Sequence, residues 1–255
     1  IDWVHAQHPA PRSAETGELL WEQGIRLHGA TERVVKDGYR FVKVDGGVRS
    51  GKSFNAADKL YVDIRWMMRR ARLGPGLATC ELRWGVIGDS YRMAEEEMNH
   101  LHRLLNDGGI PHEMNTPDKQ SWKITFAFCG AVVETLTAAD VSKIASKPYR
   151  GMVIAEAAQT SFDAYIAARN RVVETGGWVH MEGTFESAKG PWYAVLTERW
   201  KRPGEAGVRY AMPSWENPVV FPGGWDDPKI QTEFRELPPD VFNERYGGEP
   251  KRPQH

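Results

Sequence analysis

Cysteine is scarce in this chain, and neither sign of charge is in excess. The two cysteines among 255 residues are Cys80 and Cys129, which excludes a disulfide framework and a zinc site built from cysteines. The 33 Lys and Arg residues balance the 34 Asp and Glu residues, for a net charge of −1, so a surface coated uniformly with nucleic acid is not expected. No run approaches the ~18 apolar residues of a membrane helix and no signal-peptide pattern occurs, so we expect no membrane partner.

Apolar strands alternate with amphipathic helices along the chain. Strand candidates cover 39–44, 82–88, 124–128, 131–135, 151–155, 178–182 and 208–212. Helix candidates cover 18–33, 54–72, 91–105, 161–174 and 192–200. This alternation predicts an α/β fold with a mainly parallel central sheet and helices on both faces. Ligands of such folds bind at the carboxyl ends of the strands.

The segment after the first strand matches the phosphate-loop pattern in full. It consists of Gly46, Gly47, Val48, Arg49, Ser50, Gly51, Lys52 and Ser53. Glycines let backbone N–H groups approach phosphate oxygens, and the helix that follows adds its N-terminal amides. Lys52 would reach the β- and γ-phosphates, and Ser53 would bind Mg²⁺. A chance glycine turn is the alternative, but the strand–loop–helix context favours a nucleoside triphosphate site.

A hydrolase of this kind needs a carboxylate at the end of a neighbouring strand, which holds Mg²⁺ and polarises the attacking water. The apolar run 152–155 is followed by Glu156, and Ala155 stands where an Asp is expected. Either Glu156 does the carboxylate work, with Ser53 completing the Mg²⁺ ligands, or it is a solvated residue and the acid lies elsewhere. Asp89 is the alternative acid, although it also fits the cap of the following helix.

Five stretches occur in a fixed order along the chain. They are the phosphate loop with an internal Arg (44–53), an Arg-Gly lead-in to the acidic strand end (149–157), a strand that ends in Gly-Thr (180–186), a Trp-x-Asn-Pro segment (213–218) and a final stretch (242–250). Together they resemble the ATPase domain of tailed-phage terminase large subunits, the motors that package DNA into proheads. The final stretch resembles the boundary before the family's nuclease domain. Ala155 departs from the family pattern.

The resemblance implies a P-loop NTPase of the ASCE/RecA-like kind that binds ATP and Mg²⁺ and hydrolyses ATP. Its partners would be double-stranded DNA, the portal of the prohead, a small terminase subunit and further copies of itself in a ring, in the host cytoplasm. The implied parts are an N-terminal flank with a helix (1–36), the ATPase domain (37–250) and a tail (251–255). Because the chain starts without Met and stops at this boundary, we expect a larger protein cut before its nuclease, and no nuclease activity here.

The resemblance also implies roles for single residues. Arg49 would reach the γ-phosphate or sense its loss, although it also fits an exposed loop charge. Gly183 and Thr184 would couple phosphate release to movement, or would simply close a buried strand. Gln23 would lie near the adenine and complete the nucleotide contacts of residues 46–53, or would be an ordinary solvated helix residue.

A ring motor usually receives an arginine from a neighbouring subunit, and this arginine stabilises charge in the transition state. Arg150 is the first candidate because it precedes the acidic strand, with Arg169 and Arg171 as others; each also fits a surface ion pair. Basic residues at 69–72 and 201–202 would suit the DNA backbone, but such runs are usually solvated faces.

Two other functions are compatible with the sequence. A different P-loop DNA translocase or helicase-like ATPase would share the loop, but a helicase core needs a second RecA-like domain for which this chain has no room. A nucleotide-dependent assembly module without hydrolysis would account for Ala155. The motor hypothesis assigns catalysis to Glu156, Lys52, Arg49 and Arg150.

Overall fold

The computed structural model describes residues 40–73, 82–118, 120–127, 129–186 and 188–251. The predicted helix at 18–33, with Gln23, lies outside the described residues, as does Cys80. The side chains of the basic cluster at 69–72 are likewise not described.

The described chain builds an eight-stranded sheet with the order β3-β4-β5-β2-β6-β7-β1-β8. Its strands are β1 (Phe41–Gly46), β2 (Arg83–Gly88), β3 (Glu113–Asn115), β4 (Lys123–Phe126), β5 (Ala131–Thr137), β6 (Gly151–Ile154), β7 (Trp178–Gly183) and β8 (Gly207–Met212). The six strands from β5 to β8 in this order pair in parallel, whereas β3 and β4 add an antiparallel edge. The carboxyl ends of β1, β6 and β7, which are neighbours, therefore meet at one edge of the sheet.

Helices connect the parallel strands and cover both faces of the sheet. They are α1 (Lys52–Leu73), α2 (Glu95–Asp107), α3 (Val141–Ile144), α4 (Phe162–Val173), α5 (Trp192–Trp200), α6 (Pro228–Glu236) and α7 (Pro239–Phe242). Side-chain caps set several of their starts: the Ser161 hydroxyl accepts a hydrogen bond from the Ala164 amide before α4, and Asp227 accepts one from Lys229 before α6.

Alternation along the strands divides the interior into two cores. On β6, Val153 packs with α1 and α2 on one face, whereas Met152 and Ile154 pack with α4 and α5 on the other. A strand buried on both faces is expected to be apolar throughout, as the 151–154 sequence is. The predicted α/β fold with a mainly parallel sheet between two helical layers is thus confirmed.

The C-terminal region differs from the sequence expectation, which placed no helix after the last strand. The structure forms α6, α7 and a short π-helix at Asn243–Gly247, packed around buried Phe221, Ile230 and Phe242. Dense Pro, Gly and Trp residues obscured the periodicity of these short helices. Nowhere in the described chain is a helix long and apolar enough to cross a membrane.

One histidine of the sheet has no polar partner. His180 on β7 is fully buried, and neither ring nitrogen is hydrogen-bonded within the described residues. Burial, together with the nearby charge of Lys59, lowers the pKa of His180 to about 3. The folded protein therefore keeps this imidazole neutral under conditions in which the unfolded chain protonates it.

This burial predicts a specific loss of stability on mild acidification. Because the pKa of His180 is lower in the folded than in the unfolded state, the free energy of unfolding should fall as the pH drops below about 6.5. Between pH 6.5 and 5 the contribution is about 2 kcal/mol. Urea unfolding at both pH values should show that His180→Leu lacks this part of the loss. An unchanged pH dependence in the variant would contradict the assignment.

Candidate functional site

The loop of residues 46–51 leads from β1 into the first turn of α1. Gly51 has φ +93°, which a residue with a Cβ adopts only at a cost. Gly47 packs so closely that a Cβ there would lie 2.2 Å from the Tyr246 carbonyl oxygen. The first amides of α1 have no acceptor within the helix, and the helix dipole adds positive potential. The loop and helix together offer donors suited to a phosphate group.

The ends of β6 and β7 bring two further predicted residues to this loop. Lys52 Nζ lies 2.9 Å from Glu156 Oε1, and the Thr184 amide donates a hydrogen bond of 3.3 Å to Glu156 Oε2. Glu156 therefore connects the lysine of the phosphate loop to the Gly183-Thr184 end of β7. Three separate regions of the sequence meet at one carboxylate.

Lys52 is a permanent cation at this site. Burial by itself lowers the pKa of Lys52, but the carboxylates of Glu182 and Glu156 outweigh this effect and raise the pKa to about 12. The ammonium group thus stays charged throughout the physiological range. It can bind a phosphate oxygen in exchange for a carboxylate oxygen.

Two acidic residues beside Lys52 were given no role from the sequence. Glu182 on β7 is fully buried, and Glu97 on α2 is 1% exposed. Burial raises the pKa of both carboxyl groups, and hydrogen bonds with Glu182 and Ser53 partly offset the effect at Glu97. Glu182 could have been noticed from the sequence, because an acidic residue is unusual within a largely apolar strand such as 178–183. Glu97, third in a run of three Glu, reads from sequence as an ordinary acidic first turn.

Backbone strain is concentrated around the same loop. Among the described residues, Arg49 (φ +62°) and Glu156 (φ +44°) are the non-glycine residues with positive φ. Such conformations cost of order 1–3 kcal/mol each and persist only where the surroundings impose them. Both side chains line a cavity of about 590 Å³ together with Lys52 and Thr184. On its far side, Val219 and neighbouring residues of the C-terminal region complete the wall.

A buried charge network fixes the strand that enters the loop. Asp45, fully buried next to Gly46, accepts hydrogen bonds from Lys43, from Thr197 (3.1 Å) and from Arg209 Nε (2.8 Å). Arg209 also donates to the Gly248 carbonyl at 2.8 Å. The network joins β1, β8, α5 and the C-terminal region directly behind the phosphate loop.

Known proteins share this architecture at low sequence identity. No family model and no curated protein matches the sequence. Among solved structures, the large terminase ATPase domain of Thermus phage P74-26 matches with a TM-score of 0.61 and 15% identity, over 94% of this chain and 98% of that domain. The chain has the fold of a phage terminase ATPase domain.

Two longer terminases give the same result. The large terminase of a thermophilic bacteriophage, in complex with ADP, matches at TM-score 0.60 and 14% identity over 87% of this chain. The HK97 bacteriophage large terminase matches at 0.57 and 13% over 96% of this chain. The chain spans 52% and 53% of these two proteins. The terminase of the thermophilic bacteriophage was also solved with ATP-γ-S.

Within this terminase-like fold, the candidate arginines lie away from the phosphate loop. Arg150 precedes β6, at the opposite end of the strand from Glu156, and its Nε lies 3.5 Å from Asp63. Arg169 lies over the Phe41 ring, and Arg171 pairs with Glu174. The structure therefore does not bring Arg150 to the phosphate loop of its own chain, and its supply to a neighbouring subunit stays a prediction.

Asp89, the alternative acid, is paired elsewhere. Its carboxylate accepts a hydrogen bond of 2.6 Å from Lys189, which follows β7. Its side chain is 36% exposed, and it does not line the loop cavity. Of the two acids predicted from the sequence, Glu156 is thus the one that lies at Lys52.

The left-handed backbone at Arg49 predicts an unusual order of stability between two variants. Arg49→Gly should be about 1 kcal/mol more stable than Arg49→Ala, because glycine adopts positive φ without a Cβ clash. Chemical denaturation of both variants measures the difference. At exposed Glu198 in α5 the same pair should show the reverse order, since alanine favours a helix. Equal stability of the two Arg49 variants would contradict the strain.

Proposed function

We propose that this chain is the ATP-hydrolysing motor domain of a phage terminase large subunit, which drives double-stranded DNA into proheads. The observation that carries the proposal is the meeting of Lys52, Glu156 and Thr184 at a phosphate loop. The loop has a helix N-terminus on one side and a cavity of about 590 Å³ on the other. The likeness of the fold to terminase ATPase domains supports the choice of this motor among P-loop enzymes.

The proposed chemistry assigns one task to each residue. Amides of the loop 46–53 and of the first turn of α1, with the Lys52 ammonium, bind the phosphates of ATP; the Gly47, Val48 and Ser50 amides do not take part, because they are bonded to carbonyls. Glu156, released from Lys52 as the phosphates take its place, orients the water that attacks the γ-phosphorus. Arg49 reaches the γ-phosphate from the loop. Because the Thr184 amide bonds to Glu156, movement of this carboxylate is passed to the end of β7, which supports the coupling role proposed for Gly183 and Thr184.

The oxygen atoms available at this site are suitable ligands for Mg²⁺. The buried Oε2 atoms of Glu97 and Glu182 have no hydrogen-bond partner within the described residues, and Mg²⁺ prefers such oxygen ligands. We assign its direct contacts to Ser53 and Glu156, with the nucleotide phosphates. The described chain contains no group of three acidic, His or Cys side chains that could hold a metal ion. In this proposal nucleotide phosphates and water complete the coordination. When bound, the ion would neutralise phosphate charge.

A second candidate function rests on Ala155. This residue is fully buried and contributes no carboxylate beside Glu156. A nucleotide-dependent assembly module, in which ATP stabilises a complex without being hydrolysed, would tolerate this change. The buried acids Glu97 and Glu182 favour the motor, because they bring carboxyl oxygens to the site where Ala155 brings none.

The wider assignments follow from the motor proposal. We assign residues 37–250 to the ATPase domain, 1–36 to a flank and 251–255 to a tail. DNA, the portal of the prohead, the small terminase subunit and other copies of the chain in a ring are the proposed partners, in the host cytoplasm. Arg150 is proposed to act on the nucleotide of a neighbouring copy.

Two substitutions should separate binding from hydrolysis. Lys52→Ala should abolish both ATP-γ-S binding and ATP turnover, because it removes the side-chain cation that is predicted to bridge the phosphates. Glu156→Gln should retain nucleotide binding and lower kcat by about 100-fold or more, since a general base contributes about 10²–10⁴-fold. Calorimetry measures binding, and a phosphate-release assay measures turnover.

Exposed residues provide matched controls for these variants. Lys143→Ala and Glu174→Gln change side chains that are 60% and 58% exposed, both distant from the loop cavity. Both should behave like the wild type. Full turnover in Glu156→Gln would refute its catalytic role.

Stimulation by partners separates the candidate functions. A motor should release phosphate faster when double-stranded DNA and proheads are added to the wild-type chain. Tight ATP binding without phosphate release, with or without these partners, would instead identify the assembly module.

A further inference from the structure

The segment that follows β8 holds the outer side of the phosphate loop. This segment, residues 213–220, is called the clamp segment. The Ser214 hydroxyl donates a hydrogen bond of 2.6 Å to the Val48 carbonyl, and Asn217 Nδ2 donates one of 2.7 Å to the Arg49 carbonyl. Two consecutive loop carbonyls are therefore bonded to side chains distant in sequence.

We propose that Ser214 and Asn217 are positioning residues that shape the phosphate loop for nucleotide binding. The inference rests on the proposed function, because it concerns how the same loop binds phosphates. It goes further by naming two residues of the C-terminal region that control nucleotide affinity without touching the reacting atoms.

The first argument concerns the direction of the loop amides. In a trans peptide the C=O and N–H groups point in opposite directions. By fixing the Val48 carbonyl, Ser214 directs the Arg49 N–H group away from the clamp segment. Because a phosphate loop binds anions through its N–H groups, the orientation of its carbonyls decides which amides are available.

The second argument concerns strain. Arg49 has φ +62°, a conformation that the surroundings must impose. The bond from Asn217 holds the carbonyl of this residue. The orientation of the Asn217 amide is itself fixed, because its Oδ1 accepts a hydrogen bond of 3.1 Å from the Val219 amide. Nδ2 is therefore the atom that faces the loop.

The third argument is that the clamp segment is itself immobilised. Ser214 is fully buried and Asn217 is 6% exposed. Trp215, between them, stacks on Phe242 with ring planes 2° apart. A rigid support of this kind can impose a geometry on the loop, whereas a solvated segment could not.

The backbone of residues 243–247, further along the chain, adds a third contact with the loop. The Val48 amide donates a hydrogen bond of 2.7 Å to the Arg245 carbonyl. Val48 is thus held through both its N–H and its C=O groups by the C-terminal region. Ser214, Asn217 and Arg245 thus hold the loop, and Asn217 also lines the cavity beside it.

The test compares nucleotide affinity with stability. Asn217→Ala removes the donor to the Arg49 carbonyl without adding a charge to the cavity wall, and Ser214→Ala removes the donor to the Val48 carbonyl. We expect each to raise the calorimetric Kd for ADP about tenfold. In ATPase assays KM should rise with little change in kcat. Exchange of the loop amides, followed by mass spectrometry, should become faster at residues 48–51.

Ser146→Ala is the matched control, because its hydroxyl also bonds a backbone carbonyl, that of Lys143, but far from the loop. It should bind ADP like the wild type. Wild-type Kd values in folded Asn217→Ala and Ser214→Ala would overturn this inference but leave the proposed function standing. Failure of the wild type to bind ADP would overturn the proposed function and this inference with it. If one variant does not fold, the Kd for ADP and the amide exchange of the other variant still test the inference.

Discussion

The buried carboxylate of Asp45 is the point on which the arrangement of the site depends. It accepts hydrogen bonds from a lysine of its own strand, a threonine of α5 and an arginine of β8. A buried charge is tolerated only when it is paired in this way, and loss of one partner of such a pair typically costs about 3–5 kcal/mol. Because the next residue is Gly46, the network also determines where β1 ends and the loop begins.

Around this anchor, the site gathers several acids about one lysine. Glu156, Glu182 and Glu97 all act on the charge of Lys52, and two of them are almost fully buried. Such an arrangement is poorly suited to an apolar interior, but well suited to receive a polyphosphate with its cation. The near-zero net charge of the whole chain gives no sign of this local cluster of acids around Lys52.

The fold and the centre of the site could be predicted from local sequence. Alternating periodicity identified the parallel strands, and the loop pattern with the acid at the end of β6 identified Lys52 and Glu156. The roles of Glu182 and the clamp residues were not predicted, although the stretches 180–186 and 213–218 that contain them were singled out. Their contacts cross large distances in sequence, 166 residues between Ser214 and Val48, and no periodic pattern encodes them. The short C-terminal helices were missed because their prolines and glycines also occur in irregular loops.

The contacts of the C-terminal region have a mechanical consequence. Arg209 bonds both Asp45 and the Gly248 carbonyl, and the Arg245 carbonyl bonds the Val48 amide. Tension applied to the chain at Lys251 would therefore reach the phosphate loop within a few residues, through several hydrogen bonds loaded in parallel. Conversely, a change in the loop would shift the backbone at Arg245 and Gly248. The phosphate loop and this end of the described chain are therefore mechanically coupled through a short path.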